Sequence, residues 1–204
     1  MTHILHIDSS ILNNNSVSKE LTKQLVDKLA AKLGQATVTY RDLGNEAVPH
    51  LDNAHLTSIM TPAEDRNEKQ QQQAAYSDQQ IEQVQAADII VLGAPMYNFS
   101  VASGLKAWFD HIARAGVTFR YTANGPEGLL KNKKVYLVTS RGGFHQNQPS
   151  DTQLPFVETF LKFIGLDDID VIYAEGVNLG DSQRQTALET ASKKISATVA
   201  ESIA

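Results

Sequence analysis

The sequence predicts an α/β fold in which five parallel strands form one doubly wound sheet with helices on both faces. Short apolar segments alternate along the chain with segments whose apolar residues recur every three or four positions, the pattern of βαβ units. The 204 residues suffice for about one domain, and neither a linker nor an internal repeat divides them. We therefore expect a single domain over residues 1–204.

Five segments are predicted to be strands. Helix-length connections between successive strands imply right-handed crossovers, and five such strands fit the flavodoxin-like order 2-1-3-4-5. In this order a ligand is expected at the carboxyl ends of strands 1 and 3. The predicted strands are His3–Asp8, Thr37–Tyr40, Asp88–Leu92, Lys134–Thr139 and Asp170–Ala174.

Apolar periodicity and capping signals predict the helices. Thr61-Pro62-Ala63-Glu64 has the pattern of a capping box with proline at the first helical position, and Ser77 with Gln80 predicts a further helix start. The run Gln70–Gln73 is interpreted as a solvated helix face. The predicted apolar stripes are Leu21, Leu25, Leu29 and Leu33; Ile81 and Val84; Leu105, Trp108, Phe109 and Ile112; Val157–Ile164; and, within Thr186–Ile203, Leu188, Ile195 and Val199.

Composition and charge argue against several classes of protein. A formal net charge of −5 and a pI near 5.6, without a Lys/Arg cluster, argue against nucleic-acid binding. The chain has no cysteine and its six histidines show no metal-ligand spacing, so neither a disulfide nor a metal site is predicted. No apolar run approaches the ~18 residues of a membrane span, and strand-like residues take the place of a leader. We therefore expect a cytoplasmic protein.

The loop after the first strand is a candidate phosphate site. It contains Ser9, Ser10 and Ser16–Ser18, directly before the leucine-striped helix. Backbone N–H groups at a helix N-terminus bind anions, and serine hydroxyls add donors. Neither G-x-x-x-x-G-K-[ST] nor G-x-G-x-x-G occurs, which leaves a monophosphate such as that of FMN as the fitting ligand. The alternative is that Ser16 or Ser18 only caps the helix.

Two further loops are expected at the same edge of the sheet. Met96-Tyr97-Asn98-Phe99 follows the third strand, and its aromatic residues suit a flat aromatic ligand. Ser140-Arg141-Gly142-Gly143-Phe144-His145 follows the fourth strand, and its paired glycines allow close approach of the backbone to a ligand and positive φ angles. The alternative for this second loop is a plain glycine turn. Together the three loops predict one crevice, with phosphate at one side and a ring system between the other two.

The glycine-rich connection Ala115–Leu130 is long enough to carry a function. Its Tyr121 is interpreted either as a cover for a ring or substrate or as a structural turn tyrosine. A hydrolase triad is poorly supported, because Ser9 and Ser10 lie outside a G-x-S-x-G motif. Of the histidines, only His145, beside the paired glycines, is given a functional role.

A series of short segments along essentially the whole chain matches one known family. They are Asp42-Leu43, Ala94-Pro95-Met96-Tyr97-Asn98-Phe99, Ala113–Thr122, Asn124-Gly125-Pro126-Glu127-Gly128-Leu129, Thr139-Ser140-Arg141-Gly142-Gly143, Phe163-Ile164-Gly165 and Ala174-Glu175-Gly176. Through these segments the chain resembles the bacterial FMN-dependent NADH-azoreductases, also described as NADH:quinone oxidoreductases. Val17 is a departure from the family, in which a polar residue is frequent at this position. A contact through its backbone N–H survives that change.

The resemblance implies one FMN per subunit, NADH as electron donor, and a homodimer whose substrate pockets are completed across the interface. Phe99, Tyr121 and Phe163 are expected to contact the substrate. The residues expected to hold FMN are Ser10, Ser16, Val17, Ser18, Met96, Tyr97, Asn98, Phe99, Ser140, Arg141, Gly142, Gly143 and His145.

The implied activity is transfer of two electrons from NADH to quinones and aromatic azo compounds by a ping-pong scheme, in small-molecule pockets without metal. Flavin performs this chemistry, so no side chain is predicted to be catalytic. Backbone N–H groups at Gly142 and Gly143, with His145, are expected to stabilise negative charge on the reduced ring as an oxyanion hole does, while those of Asn98 and Phe99 face its other edge. The alternatives are an electron carrier of the flavodoxin type and a flavin-binding regulator without turnover.

Overall fold

The computed structural model describes residues 1–202 and contains the predicted sheet of five parallel strands. The sheet has the order β2-β1-β3-β6-β7, and the antiparallel hairpin β4–β5 lies outside it. This hairpin was not predicted, and it raises the numbers of the last two strands of the sheet from 4 and 5 to 6 and 7. The strands are β1 (Thr2–Asp8), β2 (Ala36–Asp42), β3 (Ile89–Gly93), β4 (Phe119–Thr122), β5 (Gly125–Gly128), β6 (Lys134–Arg141) and β7 (Asp168–Glu175).

Six α-helices are present in the described chain, and neither of the two helix starts predicted from capping pairs is an α-helix start. The helices are α1 (Val17–Leu33), α2 (Asn53–Met60), α3 (Glu68–Ala86), α4 (Ser103–Ile112), α5 (Gln153–Phe163) and α6 (Asp181–Glu201). Helix α2 was not predicted, and Ile203, the predicted end of the last helix, lies outside the described residues.

The capping box of α3 is formed by Asn67 and Gln70 rather than by the predicted pairs. The Asn67 side chain accepts from the Gln70 N–H at 3.0 Å, and the Gln70 side chain accepts from the Asn67 N–H at 3.1 Å. Pro62 precedes only a short 3₁₀ turn and no side chain caps it. Ser77 and Gln80 lie inside α3, where the backbone N–H groups are already bonded, and their side chains bind α4 instead.

Helices cover both faces of the sheet, because apolar side chains alternate along its central strands. In β1, Ile4 packs against α1 and α6, whereas Leu5 and Ile7 pack against α3, α4 and α5. The predicted leucine stripe of α1 is confirmed, since Leu25 and its neighbours one turn away on either side are buried. Among residues 1–202, none of the helices combines the length and the apolar character needed to cross a bilayer.

His111 is a fully buried histidine in the last turn of α4. Its Nε2 lies 2.9 Å from the Pro49 carbonyl, and its ring packs edge-on against Tyr76. Burial lowers the pKa of His111 below its ordinary value of 6.5. The folded protein therefore keeps this imidazole neutral under conditions in which the unfolded chain takes up a proton.

We predict that the free energy of unfolding falls as the pH drops below about 6.5, by at most about 1.4 kcal/mol per pH unit for this one proton. A depressed folded-state pKa gives this sign, because the unfolded state binds the extra proton. Urea unfolding at pH 7.5, 6.5 and 5.5 measures the slope. His111→Gln should flatten it, whereas the exposed His50→Gln should not. Equal slopes in all three proteins would contradict the assignment.

Candidate functional site

A cleft of about 290 Å³ opens at the carboxyl ends of β1, β3 and β6. It brings together the three loops that the sequence analysis placed at this edge of the sheet, and the loop after β7 closes one side. The residues that line it are Ser10, Leu12, Asn15, Ser16, Val17, Pro95, Met96, Tyr97, Asn98, Ser140, Arg141, Gly142, Val177, Asn178 and Arg184. Of the residues expected to hold FMN, the lining does not include Ser18, Phe99, Gly143 and His145.

The N-terminus of α1 forms one end of the cleft. Ser16 is the N-cap, and its Oγ accepts from the Lys19 N–H at 3.2 Å and lies 3.1 Å from the Ser18 Oγ. Ser16 therefore caps α1, and whether it also contacts a ligand stays a prediction. The N–H groups of Val17 and Ser18 have no acceptor within residues 1–202. This helix end therefore retains two free donors and its positive dipole end for an anion.

The loop after β1 is held by the neighbouring loops. The Tyr97 hydroxyl accepts from the Ile11 N–H at 3.2 Å and lies 3.2 Å from the Ser10 Oγ. Ser9 donates to the Gly93 carbonyl at 2.7 Å. At Gly44, in the loop after β2, an added Cβ would lie 2.0 Å from the Ser10 carbonyl oxygen. Only glycine fits there, so the backbone after β2 directly supports the loop after β1.

The tight turn after β3 contains two left-handed residues that are not glycine. Two backbone hydrogen bonds of 2.9 Å close it between Tyr97 and Ser100. Asn98 has φ +48° and Phe99 has φ +65°, a conformation that is unusual for a bulky residue. Strain of this kind costs of order 1–3 kcal/mol per residue and clusters at functional sites. The turn leaves the N–H groups of Asn98 and Phe99 without an acceptor in the described chain and the Phe99 side chain 55% exposed.

The loop after β6 is fixed through its carbonyl groups. Those of Arg141, Gly142 and Gly143 accept from three successive N–H groups after β7, at 3.0–3.1 Å. The N–H groups of the two glycines donate to no acceptor among residues 1–202. Neither glycine has a positive φ, so that expectation is wrong. An added Cβ at Gly142 would lie 2.7 Å from Asn178 Nδ2, so a larger residue here has to displace the Asn178 side chain.

Arg141 stabilises this loop from beneath. Its guanidinium is completely buried, 2.8 Å from the Asp151 carboxylate and 3.2 Å from that of Glu175, and it faces the Tyr173 ring. Glu175 also accepts from the N–H groups of His145, at 2.8 Å, and Gln146, at 2.9 Å. Both guanidinium ends of Arg141 are thus engaged by carboxylates. Its charge is compensated inside the protein and is not available to a ligand.

His145 lies beside the cleft rather than in its lining. Its Nδ1 is 2.9 Å from the Ser150 Oγ, and its ring packs edge-on against Phe99 at a centroid distance of 5.8 Å. An added Cβ at Gly143 would lie 3.3 Å from His145 Nε2. The imidazole therefore packs against both the turn after β3 and the loop after β6 and supports them.

Tyr121 and Phe163 lie in an aromatic cluster that does not line the cleft. Phe119 joins them, with ring centroids 5.5 Å from Tyr121 and 4.3 Å from Phe163. Gln153, at the start of α5, donates to the Ala94 carbonyl beside the cleft at 2.6 Å. Phe163 is ten residues further along this helix, about 15 Å away at 1.5 Å per residue. Within one chain, the three residues expected to contact the substrate are therefore not brought together.

A larger cavity, of about 550 Å³, lies next to this aromatic cluster. Its charged groups are already paired, since Asp78 binds both Arg66, at 2.7 Å, and Arg114. It is not at the carboxyl ends of the sheet strands, so the smaller cleft with free donors is the candidate site. The cavity is lined by Leu56, Ile59, Met60, Thr61, Pro62, Ala63, Arg66, Asp78, Ala113, Arg114, Ala115, Val117 and Phe119.

Among residues 1–202, no group of three or more His, Asp or Glu side chains could hold a metal ion.

Asn178 and Arg184 are the lining residues that sequence analysis most clearly missed. Ala174-Glu175-Gly176 already pointed to the carboxyl end of β7, and this was the available signal for Asn178. An isolated arginine near the start of a helix is usually solvent-exposed, so nothing in the sequence indicated Arg184.

Comparisons with known proteins agree with this architecture. The family model described as flavodoxin-like fold matches residues 2–199. An FMN-dependent NADH:quinone oxidoreductase of Burkholderia thailandensis is 51% identical over 197 residues, covering 97% of this chain and all of the relative. One of Saccharophagus degradans is 48% identical, covering 98% of this chain and 95% of the relative.

Solved structures share the fold. An azoreductase from Bacillus anthracis superposes with a TM-score of 0.88 at 24% identity, covering 98% of this chain and 99% of that one. An FMN-dependent NADH-azoreductase from the same species, solved in complex with FMN, gives 0.86 at 22% identity, covering 98% of both chains. With the family model matched from residue 2 to residue 199 and half of the residues shared with curated relatives over their full length, the chain belongs to the flavodoxin-like fold family and, within it, to the FMN-dependent NADH:quinone oxidoreductases.

Proposed function

We propose that the protein is an FMN-dependent oxidoreductase that passes two electrons from NADH to quinones and aromatic azo compounds by a ping-pong scheme. The observation that carries this proposal is the set of backbone N–H groups that border the cleft without an acceptor in the described residues, at Val17 and Ser18, at Asn98 and Phe99, and at Gly142 and Gly143. The names of the curated relatives support the same activity.

The donors and walls of the cleft fit FMN. The free N–H groups at the start of α1, with the Ser16 and Ser10 hydroxyls, suit a monophosphate. Pro95 and Met96 offer apolar contact for a flat ring. A lysine of the kind that binds di- and triphosphates is absent from the lining, so we infer that FAD is disfavoured.

When bound, FMN supplies the hydride and electron transfer that none of the lining side chains can perform. The chain contributes fixed dipoles. The carbonyls of Arg141 and Gly142 share peptide planes with the N–H groups of Gly142 and Gly143, and the loop after β7 holds these carbonyls. The two N–H groups are therefore oriented before any ligand arrives, and such preorganised donors stabilise negative charge. The donors at Asn98 and Phe99 are oriented by the strained turn. His145 is proposed to act through packing on Phe99, since its Nδ1 is bonded to Ser150.

We also propose a homodimer in which a second copy completes the substrate pocket. Tyr121 and Phe163 belong to a cluster that does not line the cleft of their own chain, and Phe119 links this cluster to the 550 Å³ cavity. Apolar side chains are exposed around this region, among them Met60 at 74% and Tyr121 at 76%. Exposed apolar patches of this kind mark interaction surfaces. The single domain and the cytoplasmic location stay predictions.

Anaerobic mixing of the FMN-loaded protein with NADH tests the proposed function. One equivalent of NADH should bleach the visible flavin band, and one equivalent of a benzoquinone or of an aromatic azo dye should restore it. Steady-state rates should give parallel double-reciprocal lines. Absence of bleaching would favour an electron carrier or a flavin-binding regulator, and intersecting lines would contradict the ping-pong scheme.

The phosphate seat can be tested at Ser16 with two matched variants. Asp and Asn both replace Ser as good N-caps, so α1 should keep its stability in each. Ser16→Asp places a carboxylate against the phosphate and should weaken FMN binding at least tenfold, whereas Ser16→Asn should weaken it much less. Flavin fluorescence quenching gives the two Kd values, and thermal unfolding of the apoproteins controls for folding. Equal affinities in both variants would mean that the phosphate lies elsewhere.

The loop after β6 can be tested by adding bulk. Gly142→Val should displace Asn178, move the loop, and either lose FMN or slow its reduction by NADH at least tenfold, about 1.4 kcal/mol in the barrier. His145→Ala should have a smaller effect, because the backbone donors remain. Stopped-flow reduction of both variants measures this. Reduction of fully loaded Gly142→Val at the wild-type rate would show that this loop does not contact the flavin.

The homodimer predicts a mass near twice the 22.3 kDa of one chain in light scattering at micromolar concentration. Met60→Glu places a charge beside the apolar cavity and should shift the protein toward monomer. Val38→Glu, at an exposed apolar position on β2, is the matched control and should leave the mass unchanged. A monomeric wild-type protein with full activity would contradict this proposal.

A further inference from the structure

Arg184 is the one lining residue of the cleft whose positive charge is not compensated by the described chain. It lies in the first turns of α6 and forms no ion pair with a carboxylate of residues 1–202. Arg141, the other cation in the lining, is bound by Asp151 and Glu175. Neither Asp nor Glu occurs among the residues that line the cleft. The positive charge that the lining offers to a ligand therefore comes from Arg184.

The packing of α1 against α6 places Arg184 level with the N-cap of α1. Ser192 Oγ lies 2.9 Å from Gln24 Oε1, and the Lys32 ammonium donates to the Ala200 carbonyl at 2.8 Å. These contacts are eight residues apart on each helix, and both join positions that differ by 168 in the sequence. The two helices thus run side by side in the same direction. Eight residues earlier, the same offset pairs Ser16 with Arg184.

We propose that Arg184 binds the phosphate of FMN and makes the cleft selective for the phosphorylated flavin. This inference rests on the proposed function. The free N–H groups of Val17 and Ser18 are neutral donors, and a guanidinium adds a charged donor with the planar geometry that suits phosphate oxygens. The ring and the ribityl chain of the flavin are uncharged and gain no comparable stabilisation from this guanidinium. Arg184 should therefore discriminate between FMN and riboflavin, which shares the ring and the ribityl chain.

The experiment removes the charge of Arg184 and the phosphate of the flavin, separately and together, and measures how each change affects flavin binding. Fluorescence quenching gives the Kd of FMN and of riboflavin for the wild-type apoprotein, Arg184→Gln, Arg184→Lys and the control Lys193→Gln. Lys193 is exposed on the same helix, nine residues from Arg184, and its loss changes the net charge equally. Circular dichroism confirms that each variant is folded. Repeating the FMN titrations at rising KCl concentration measures the electrostatic part of binding.

Arg184→Gln should raise the Kd of FMN about tenfold, which corresponds to about 1.4 kcal/mol, and change that of riboflavin less than twofold. Arg184→Lys should be intermediate, Lys193→Gln should leave both affinities unchanged, and the salt dependence of FMN binding should be weaker in Arg184→Gln. Equal losses for the two flavins, or no loss for either, would overturn the role of Arg184 alone. A wild-type protein that binds neither flavin would overturn the proposed function and this inference with it.

Discussion

The candidate cofactor site depends on one buried ion pair network. Arg141 has no contact with solvent, and the carboxylates of Asp151 and Glu175 neutralise it from two sides. A buried charge that loses its partner is strongly destabilising, typically by about 3–5 kcal/mol. Glu175 also holds the N–H groups of His145 and Gln146. The network therefore ties the ends of β6 and β7 to the loop between β6 and α5, and the donors of this loop are fixed as a result.

The cleft combines a stable frame with local strain. Its floor is the carboxyl edge of a parallel sheet that is buried on both faces. Above this floor, the turn at Asn98 and Phe99 is held in a left-handed conformation by two hydrogen bonds and by the Thr152 hydroxyl, which donates to the Phe99 carbonyl at 2.5 Å. Such a conformation persists only where surrounding contacts over-determine it. The hydrogen bonds within the turn and from Thr152 supply those contacts. The same conformation leaves the N–H groups of Asn98 and Phe99 without an acceptor in the described chain.

Much of this arrangement could be predicted from the sequence, because it follows from periodicity and topology. The strands and the leucine stripe of α1 have strong patterns, and parallel strands bring loops distant in sequence to one edge. Local signals were weaker: Ser77 and Gln80 have the residue types of a capping pair but lie inside a helix, where their side chains bind α4. Arg141 and Arg184 are both arginines at the border of the cleft. Only the three-dimensional position of Asp151 and Glu175 makes Arg141 structural, while Arg184 has no carboxylate partner in the described chain.

The side-by-side packing of α1 and α6 has a consequence for how the protein is made. Ser10 and Arg184 both line the cleft, so it combines residues that are far apart in the chain and are synthesised at different times. Helix α1 can form early, but the wall that α6 contributes is missing until α6 has left the ribosome. Contacts of such long sequence separation form late in folding. A nascent chain therefore has to complete α6 before the cleft has all of its walls.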